Sequence, residues 1–237
     1  KTVLFDQTGR VIASKTIEYP MYQPKNGYAE QDPADWYNAA VSTCRAVIED
    51  SGVDNADICG VGISGQMHGL VMLDENNSVI RRSIIWCDQR TAKEVEQMNQ
   101  LAGREKLIEI TANPALTGWT AAKILWVKNN EPEIYEKIAH ILLPKDFLRF
   151  VLTHEYATEV SDASGMQLLD VPNRKWSDEL LTAFGIDKSW LGKVYESCEV
   201  TGTLLPEIAD QLGLTTDTVV VGGAGDNAAA AVGTGVV

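Results

Sequence analysis

The order of the predicted secondary-structure elements is the feature that most constrains the fold. Two strands are predicted first, over residues 1–6 and 11–19, joined by a turn at residues 7–10. A strand over residues 58–64 and a hairpin formed by residues 70–74 and 79–86 follow a predicted helix. A hairpin followed by strands alternating with helices is typical of an α/β domain. We therefore predict a mixed β-sheet flanked by helices.

The helices are predicted from local start and stop signals. The first begins at Pro33, because Asp32 is a favoured N-cap residue and proline is favoured at the first helical position, and Gly52 ends it. Further helices are predicted over residues 91–101, 120–129, 132–140, 145–152, 177–185 and 206–213, with a strand-like segment over residues 156–170. A strand over residues 218–221 precedes a glycine-rich loop and an alanine-rich helix.

Composition and charge narrow the classes of function. The chain has 237 residues, a length that fits one large domain or two small ones. Hydrophobic residues make up 45% of it, which is enough to form a core. The formal net charge of −13 argues against a nucleic-acid or anionic-membrane partner. No secretion signal or bilayer-length apolar run is found, so we expect a cytoplasmic protein. The 4 cysteines form no C-x-x-C pair and there are 3 histidines, so no metal site is predicted.

The strongest local motif joins a strand, glycines, an aspartate and a helix near residue 226. A strand over residues 219–221 leads through Gly222, Gly223 and Gly225 to Asp226 and Asn227. Ligands of α/β sheets bind at the carboxyl ends of strands, where an aspartate can act as a general base. One alternative is that Asp226 only caps the following helix. Another is that residues 223–228 match the dinucleotide fingerprint G-x-G-x-x-A.

Two further strand ends carry polar groups. Residues 64–69 place Gln66, Met67 and His68 between glycines, where they could face a cleft, although a lone histidine can also be a hydrogen-bonded structural residue. Asp88 and Arg90 follow the strand that ends at residue 86. They could bind a polyol or pair with each other. The six tryptophans are expected to lie mostly in the core.

Several motifs in the expected order resemble the FGGY family of carbohydrate kinases, and within that family the D-xylulose kinases. The first family signature resembles GWTAAKILWVKNN at residues 118–130. The other matching segments are GQMHG, LLPKDFLRF, TEVSDASG, TGTLLPEIA and GGAGDNAAAAVG, at residues 65–69, 142–150, 158–165, 201–209 and 222–233. The similarity extends through nearly the whole chain.

The resemblance implies an actin-like, RNase H-like α/β fold and a carbohydrate kinase that phosphorylates D-xylulose with ATP and Mg²⁺. Residues 1–237 correspond to the family's N-terminal, sugar-binding domain. The family's Asp-x-Gly-Thr phosphate motif is expected before Lys1 and a C-terminal ATP-binding domain after Val237. We therefore expect this chain by itself not to turn over ATP. A homodimer is compatible with the resemblance.

The resemblance also implies roles for individual residues. Asp226 is the expected catalytic base and Gly225 the expected cofactor contact. The expected sugar contacts are Gln66, Met67, His68, Asp88 and Asn227. Alternatives are another FGGY kinase acting on gluconate or ribulose, and a sugar-binding module without catalysis.

Overall fold

The computed structural model describes residues 1–236, which form fifteen β-strands and ten α-helices. The strands are β1 Thr2–Phe5, β2 Val11–Lys15, β3 Glu30–Gln31, β4 Gly60–Val61, β5 Ser64–Gly65, β6 Val71–Leu73, β7 Ser83–Ile84, β8 His140–Leu142, β9 Ala157–Glu159, β10 Leu169–Asp170, β11 Lys175–Trp176, β12 Lys193–Tyr195, β13 Val200–Thr203, β14 Val219–Val221 and β15 Ala224–Gly225. The helices are α1 Pro33–Ser51, α2 Ala92–Ala102, α3 Arg104–Thr111, α4 Thr120–Asn130, α5 Pro132–Tyr135, α6 Pro144–Thr153, α7 Val160–Ala163, α8 Asp178–Phe184, α9 Pro206–Leu212 and α10 Asp226–Gly233.

The strands pair in both directions, as predicted for a mixed sheet. β1 and β2 form an antiparallel hairpin. β14 lies between antiparallel β13 and parallel β4, and β15 pairs in parallel with β5. The predicted strand over residues 58–64 is therefore two short strands, β4 and β5, each with its own parallel partner. This double pairing aligns the chain before residue 66 with the chain before residue 226.

Helix α1 begins and ends where its sequence signals predict. The Asp32 side chain accepts a hydrogen bond from the N–H of Ala34 at 3.0 Å, and Pro33 opens the helix. Gly52 ends it in the left-handed conformation, at φ 65°, and donates its N–H to the oxygen of Ile48. The helix buries Trp36 and Val47, so its apolar face packs against the domain.

The main core forms around α4. Every residue of α4 from Thr120 to Val127 is buried, and its apolar side chains pack with those of α2, α3 and α8 in one cluster. The predicted boundaries of α4 agree with the structure to one residue, and those of α8 and α9 also agree. None of the helices in residues 1–236 combines the length and apolar character that a bilayer crossing requires.

The structure differs from the prediction in two predicted segments and in one helix that was not predicted. The helix predicted over residues 132–140 ends at Tyr135, because His140–Leu142 instead pairs antiparallel with β6. Helix α3 was not predicted. The strand-like segment over residues 156–170 contains the helix α7, because the Glu159 carboxylate accepts hydrogen bonds from the N–H groups of Ser161 and Asp162 and so caps a helical turn.

Candidate active site

The parallel pairing of β5 with β15 builds the candidate site. Ser64 lies opposite Ala224, and Gly65 lies opposite Gly225. Because both strands run in the same direction, the residues that follow them emerge at the same edge. The structure therefore brings the segment 66–68 beside Asp226 and Asn227.

Asp226 is exposed at the start of α10. The N-cap position belongs to Gly225, so Asp226 is the first helical residue rather than the cap. Its Oδ1 accepts the N–H of Asn227 at 2.9 Å, and in residues 1–236 no cationic side chain lies within ion-pair distance of it. The Asn227 side chain is also exposed. Asp226 thus presents an unpaired carboxylate that can accept a proton.

His68 lies beside this carboxylate with a defined tautomer. Its backbone is left-handed, at φ 66°, and its Nδ1–H donates to the carbonyl oxygen of Gly165 at 2.9 Å. This bond leaves Nε2 as an acceptor when the ring is neutral. Burial lowers the pKa of His68 below its usual value of 6.5, and the charge of Asp226 partly opposes that shift. His68 is therefore neutral at pH 7.

The sequence did not identify the two residues that hold His68 in place. The Trp119 ring stacks on the imidazole, with ring centres 4.3 Å apart and planes inclined by 16°. The buried Lys123 amine donates to the backbone oxygen of His68 at 2.6 Å and also to that of Gly118. Both residues belong to the segment 118–130, which resembles the first family signature. That resemblance was the sequence signal that could have pointed to them. Burial lowers the pKa of Lys123 to about 7.

Met67 packs against two glycines that have no room for a side chain. A Cβ at Gly225 would lie 2.8 Å from the Cγ of Met67, and a Cβ at Gly165 would lie 3.2 Å from its Cε. The half-buried Met67 therefore gives the site an apolar wall that lies directly on the loop leading to Asp226.

Gln66 and Asp88 are placed differently from the other expected sugar contacts. The Gln66 side-chain amide donates to Oε1 of Gln31 at 2.7 Å, toward β3. Asp88 is 0% exposed, and its oxygens accept from the Arg90 guanidinium at 2.7 Å and the Ala29 N–H at 2.6 Å. A direct sugar contact for Asp88 was therefore a wrong expectation. The alternative that Asp88 and Arg90 pair with each other is confirmed.

The glycine loop has no free backbone N–H groups for a phosphate. The N–H groups of residues 222, 223, 224 and 225 donate to the oxygens of Glu199, Ser197 and Ile63 and to the Ser161 hydroxyl, respectively. Ala224 and Gly225 form a strand, not the tight turn of a dinucleotide site. These bonds argue against the dinucleotide alternative. The N–H of the buried Gly225, the expected cofactor contact, donates to Ser161.

Residues 1–236 contain no group of three or more His, Cys, Asp or Glu side chains that could hold a metal ion. Of the six tryptophans, three are buried in the core, but Trp119 is half-exposed in the site and Trp86 is 57% exposed.

Known carbohydrate kinases resemble this chain over nearly its whole length. Residues 1–233 match the family model described as the FGGY family of carbohydrate kinases, N-terminal domain. A xylulose kinase from Bacillus subtilis is 41% identical over 236 residues, which cover 100% of this chain and 47% of the relative. The chain thus spans about half the length of the curated relatives it matches.

Two solved structures superpose on nearly the whole chain. The xylulose kinase from Rhodospirillum rubrum gives a TM-score of 0.95 at 26% identity, over 99% of this chain and 48% of that one. The gluconate kinase from Lactobacillus acidophilus gives a TM-score of 0.88 at 28% identity, over 94% of this chain and 45% of that one. The expected actin-like fold is confirmed. The chain belongs to the FGGY family of carbohydrate kinases and carries the family's N-terminal domain.

Proposed function

We propose that the protein carrying this chain phosphorylates D-xylulose to D-xylulose 5-phosphate with ATP, and that this chain supplies the sugar site and the catalytic base. The observation that carries the proposal is the exposed, unpaired carboxylate of Asp226 beside neutral His68. The xylulose kinases among its relatives support the choice of sugar.

Asp226 takes the proton of the reacting hydroxyl. In phosphoryl transfer the enzyme positions the attacking oxygen in line with the phosphoryl group, and a carboxylate accepts the hydroxyl proton as the new bond forms. A carboxylate held by a strong ion pair would be a weaker base. Asp226 instead accepts one backbone N–H, that of Asn227. Its second oxygen is therefore free to orient the hydroxyl and to accept its proton.

The neighbouring side chains hold the sugar. The His68 Nε2 can accept a hydrogen bond from a hydroxyl, since Nδ1 is used by Gly165. The Asn227 amide can donate and accept, and Met67 offers apolar surface to the carbon chain. Gln66 supports the segment through its bond to Gln31, and its side-chain oxygen can accept from a hydroxyl.

ATP supplies the phosphoryl group and Mg²⁺ neutralises its charge. The glycine-loop amides are occupied, and residues 1–236 contain no group of three or more His, Cys, Asp or Glu side chains placed to hold a metal ion. The curated relatives are about twice as long as this chain. We therefore assign the ATP and Mg²⁺ contacts mainly to the remainder of the full-length protein, with its expected Asp-x-Gly-Thr motif and C-terminal domain.

Gluconate is the second candidate, because a gluconate kinase superposes on this chain. A sugar carboxylate is best bound by a bidentate arginine. Arg90, the arginine of the Asp88 motif, is 1% exposed at its side chain and pairs with Asp88 and Glu30. The remaining contacts, His68 and Asn227, are neutral. This site therefore fits a neutral ketose better than an acid.

The test is a coupled ADP-release assay of the full-length protein on D-xylulose, D-ribulose and gluconate. We expect the highest kcat/KM on D-xylulose. A preference for gluconate or ribulose would reassign the substrate. Sugar binding without ADP release in any case would instead identify a non-catalytic sugar-binding module.

A further inference from the structure

A buried ionic cluster lies next to the glycine loop. It consists of two cations and three carboxyl groups, each no more than 2% exposed: Lys145, Asp146, Arg149, Glu159 and Asp162. The Lys145 amine lies 2.6 Å from Asp146 and 3.3 Å from Glu159, and Arg149 lies 2.7 Å from Asp146. Burying so many charges is costly unless their positions are well fixed. The cluster is therefore a rigid anchor.

Two hydrogen bonds connect this anchor to the glycine loop. Nη1 of Arg149 donates to the carbonyl oxygen of Gly222 at 2.6 Å, at the beginning of the loop. At its end, the N–H of Gly225 donates to the hydroxyl oxygen of Ser161 at 3.1 Å. The second bond is closer to the chemistry, because Gly225 directly precedes Asp226.

The Ser161 hydroxyl is oriented to accept from Gly225. Its own hydrogen goes to Oε1 of Glu159 at 2.9 Å, which leaves the oxygen lone pairs for the Gly225 N–H. Glu159 is held in turn by Lys145 and by the Ser197 hydroxyl, at 2.9 Å. A continuous chain of polar contacts thus runs from the ionic cluster to the backbone beside Asp226.

We propose that Ser161 is a positioning residue that sets the place of the Asp226 carboxylate through the N–H of Gly225; this inference rests on the proposed role of Asp226 as base. Gly225 is the N-cap of α10 and the helix has no side-chain cap. The Ser161 hydroxyl therefore holds the N-cap residue directly before Asp226. A catalytic group displaced by about 1 Å can lose up to about 10²-fold in rate.

Ser197 provides a matched control. Ser161 and Ser197 each donate one hydroxyl hydrogen bond to Glu159 at 2.9 Å. Ser161 in addition accepts the Gly225 N–H. Replacing either serine by alanine removes one hydrogen bond from Glu159, but Ser161→Ala alone also leaves the Gly225 N–H without its acceptor. Differences between the two variants therefore report the contact with the loop.

The experiment measures kcat and KM for D-xylulose in the full-length protein and its variants. For Ser161→Ala we expect kcat to fall about 10- to 10²-fold with KM within about twofold, because the base moves while the sugar contacts on the segment 66–68 stay. Ser197→Ala should keep kcat within about twofold. Ser161→Thr, which restores the hydroxyl, should recover most of the activity. Amide hydrogen exchange at Gly225 should accelerate in Ser161→Ala and not in Ser197→Ala.

The outcomes separate this inference from the proposed function. Equal kcat in Ser161→Ala and Ser197→Ala, or a Ser161→Ala defect in KM alone, would overturn the positioning role. If Ser161→Ala does not fold, Ser161→Cys keeps the size with a weaker acceptor, and the same comparison applies. Asp226→Asn is assayed alongside: an unchanged kcat there would remove the catalytic base and this inference together.

Discussion

The side-chain amine of Lys123 donates to the backbone oxygen of His68 over 2.6 Å, across 55 residues of sequence. The same amine donates to the oxygen of Gly118, the residue before Trp119. Because Trp119 stacks on the His68 ring, one amine fixes both partners of the stack. Lys123 is 0% exposed, and burial lowers its pKa to about 7. A costly buried amine is thus placed where it holds the proposed sugar contact.

Lys123→Met should therefore weaken sugar binding. The substitution keeps the length of the side chain but leaves two buried carbonyl oxygens without a donor, at a cost of about 1–3 kcal/mol each. We expect KM for the sugar to rise at least tenfold, with a smaller change in kcat. Lys128→Met is the control, since Lys128 lies on the same helix and is exposed. Equal KM values in the two variants would contradict the bracing role.

Asp226→Asn should nearly abolish turnover while preserving sugar affinity. Asparagine can still hydrogen-bond the sugar but cannot take its proton. Removal of a general base typically costs about 10²–10⁴-fold in rate. The measurements are kcat and the sugar Kd by calorimetry, with circular dichroism to verify the fold. Asparagine is also favoured near a helix N-terminus, so the protein would tolerate the substitution if Asp226 had only a structural role. A kcat equal to that of the unsubstituted protein would therefore show that Asp226 is not the catalytic base.

Gly165→Ala should displace His68. A Cβ at this position would lie 2.5 Å from Cε1 and 2.6 Å from Nδ1 of the imidazole, so the ring must leave its bond to the Gly165 oxygen and its stack on Trp119. We expect KM to rise about tenfold or more. Gly233→Ala, where an added Cβ meets no atom within 4 Å, should leave KM unchanged. An unperturbed His68 imidazole NMR spectrum in Gly165→Ala would refute this prediction.

Elements with strong local signals could be predicted from the sequence, and elements decided by distant pairing could not. Helices α1 and α8 carry their own caps, in Asp32 and Ser177, and their boundaries followed from them. Strand β8 forms because His140–Leu142 pairs with β6, which is remote in sequence. The strand over residues 58–64 was expected to be continuous because its apolar pattern does not reveal that β4 and β5 pair with different strands.

The same distinction holds for the candidate site. The motifs indicated the region of Asp226 and His68, since both follow strands at residues rich in glycine. They did not reveal the stack of His68 on Trp119, because that contact depends on how α4 packs. Asp88 was expected to face the sugar, but its burial with Arg90 could only be seen once the Ala29 N–H and Glu30 were placed around the pair.

Asp162 should make the stability of the protein depend on pH. Burial raises its pKa from 3.8 to about 8; the neighbouring carboxylates of Asp146 and Glu159 add to this shift, and the Lys145 amine, 3.4 Å away, opposes it. Between these two values the folded protein holds a proton on Asp162 that the unfolded chain releases. The free energy of unfolding contributed by this group is therefore fully present below about pH 4 and is lost as the pH rises toward 8.

Asp162→Asn removes this titration, so the difference in unfolding free energy between the unsubstituted protein and the variant should shrink as pH rises through that window, by at most about 1.4 kcal/mol per pH unit. Urea unfolding of both proteins at several pH values measures it, and the contributions of the histidines cancel in the difference. Asp178→Asn is the control: this exposed carboxylate pairs with Lys188, which lowers its pKa below 3.8, so its contribution is constant above pH 4. A pH-independent difference for Asp162→Asn would show that Asp162 is ionised in the folded protein, and that the cluster beside the glycine loop carries a net negative charge.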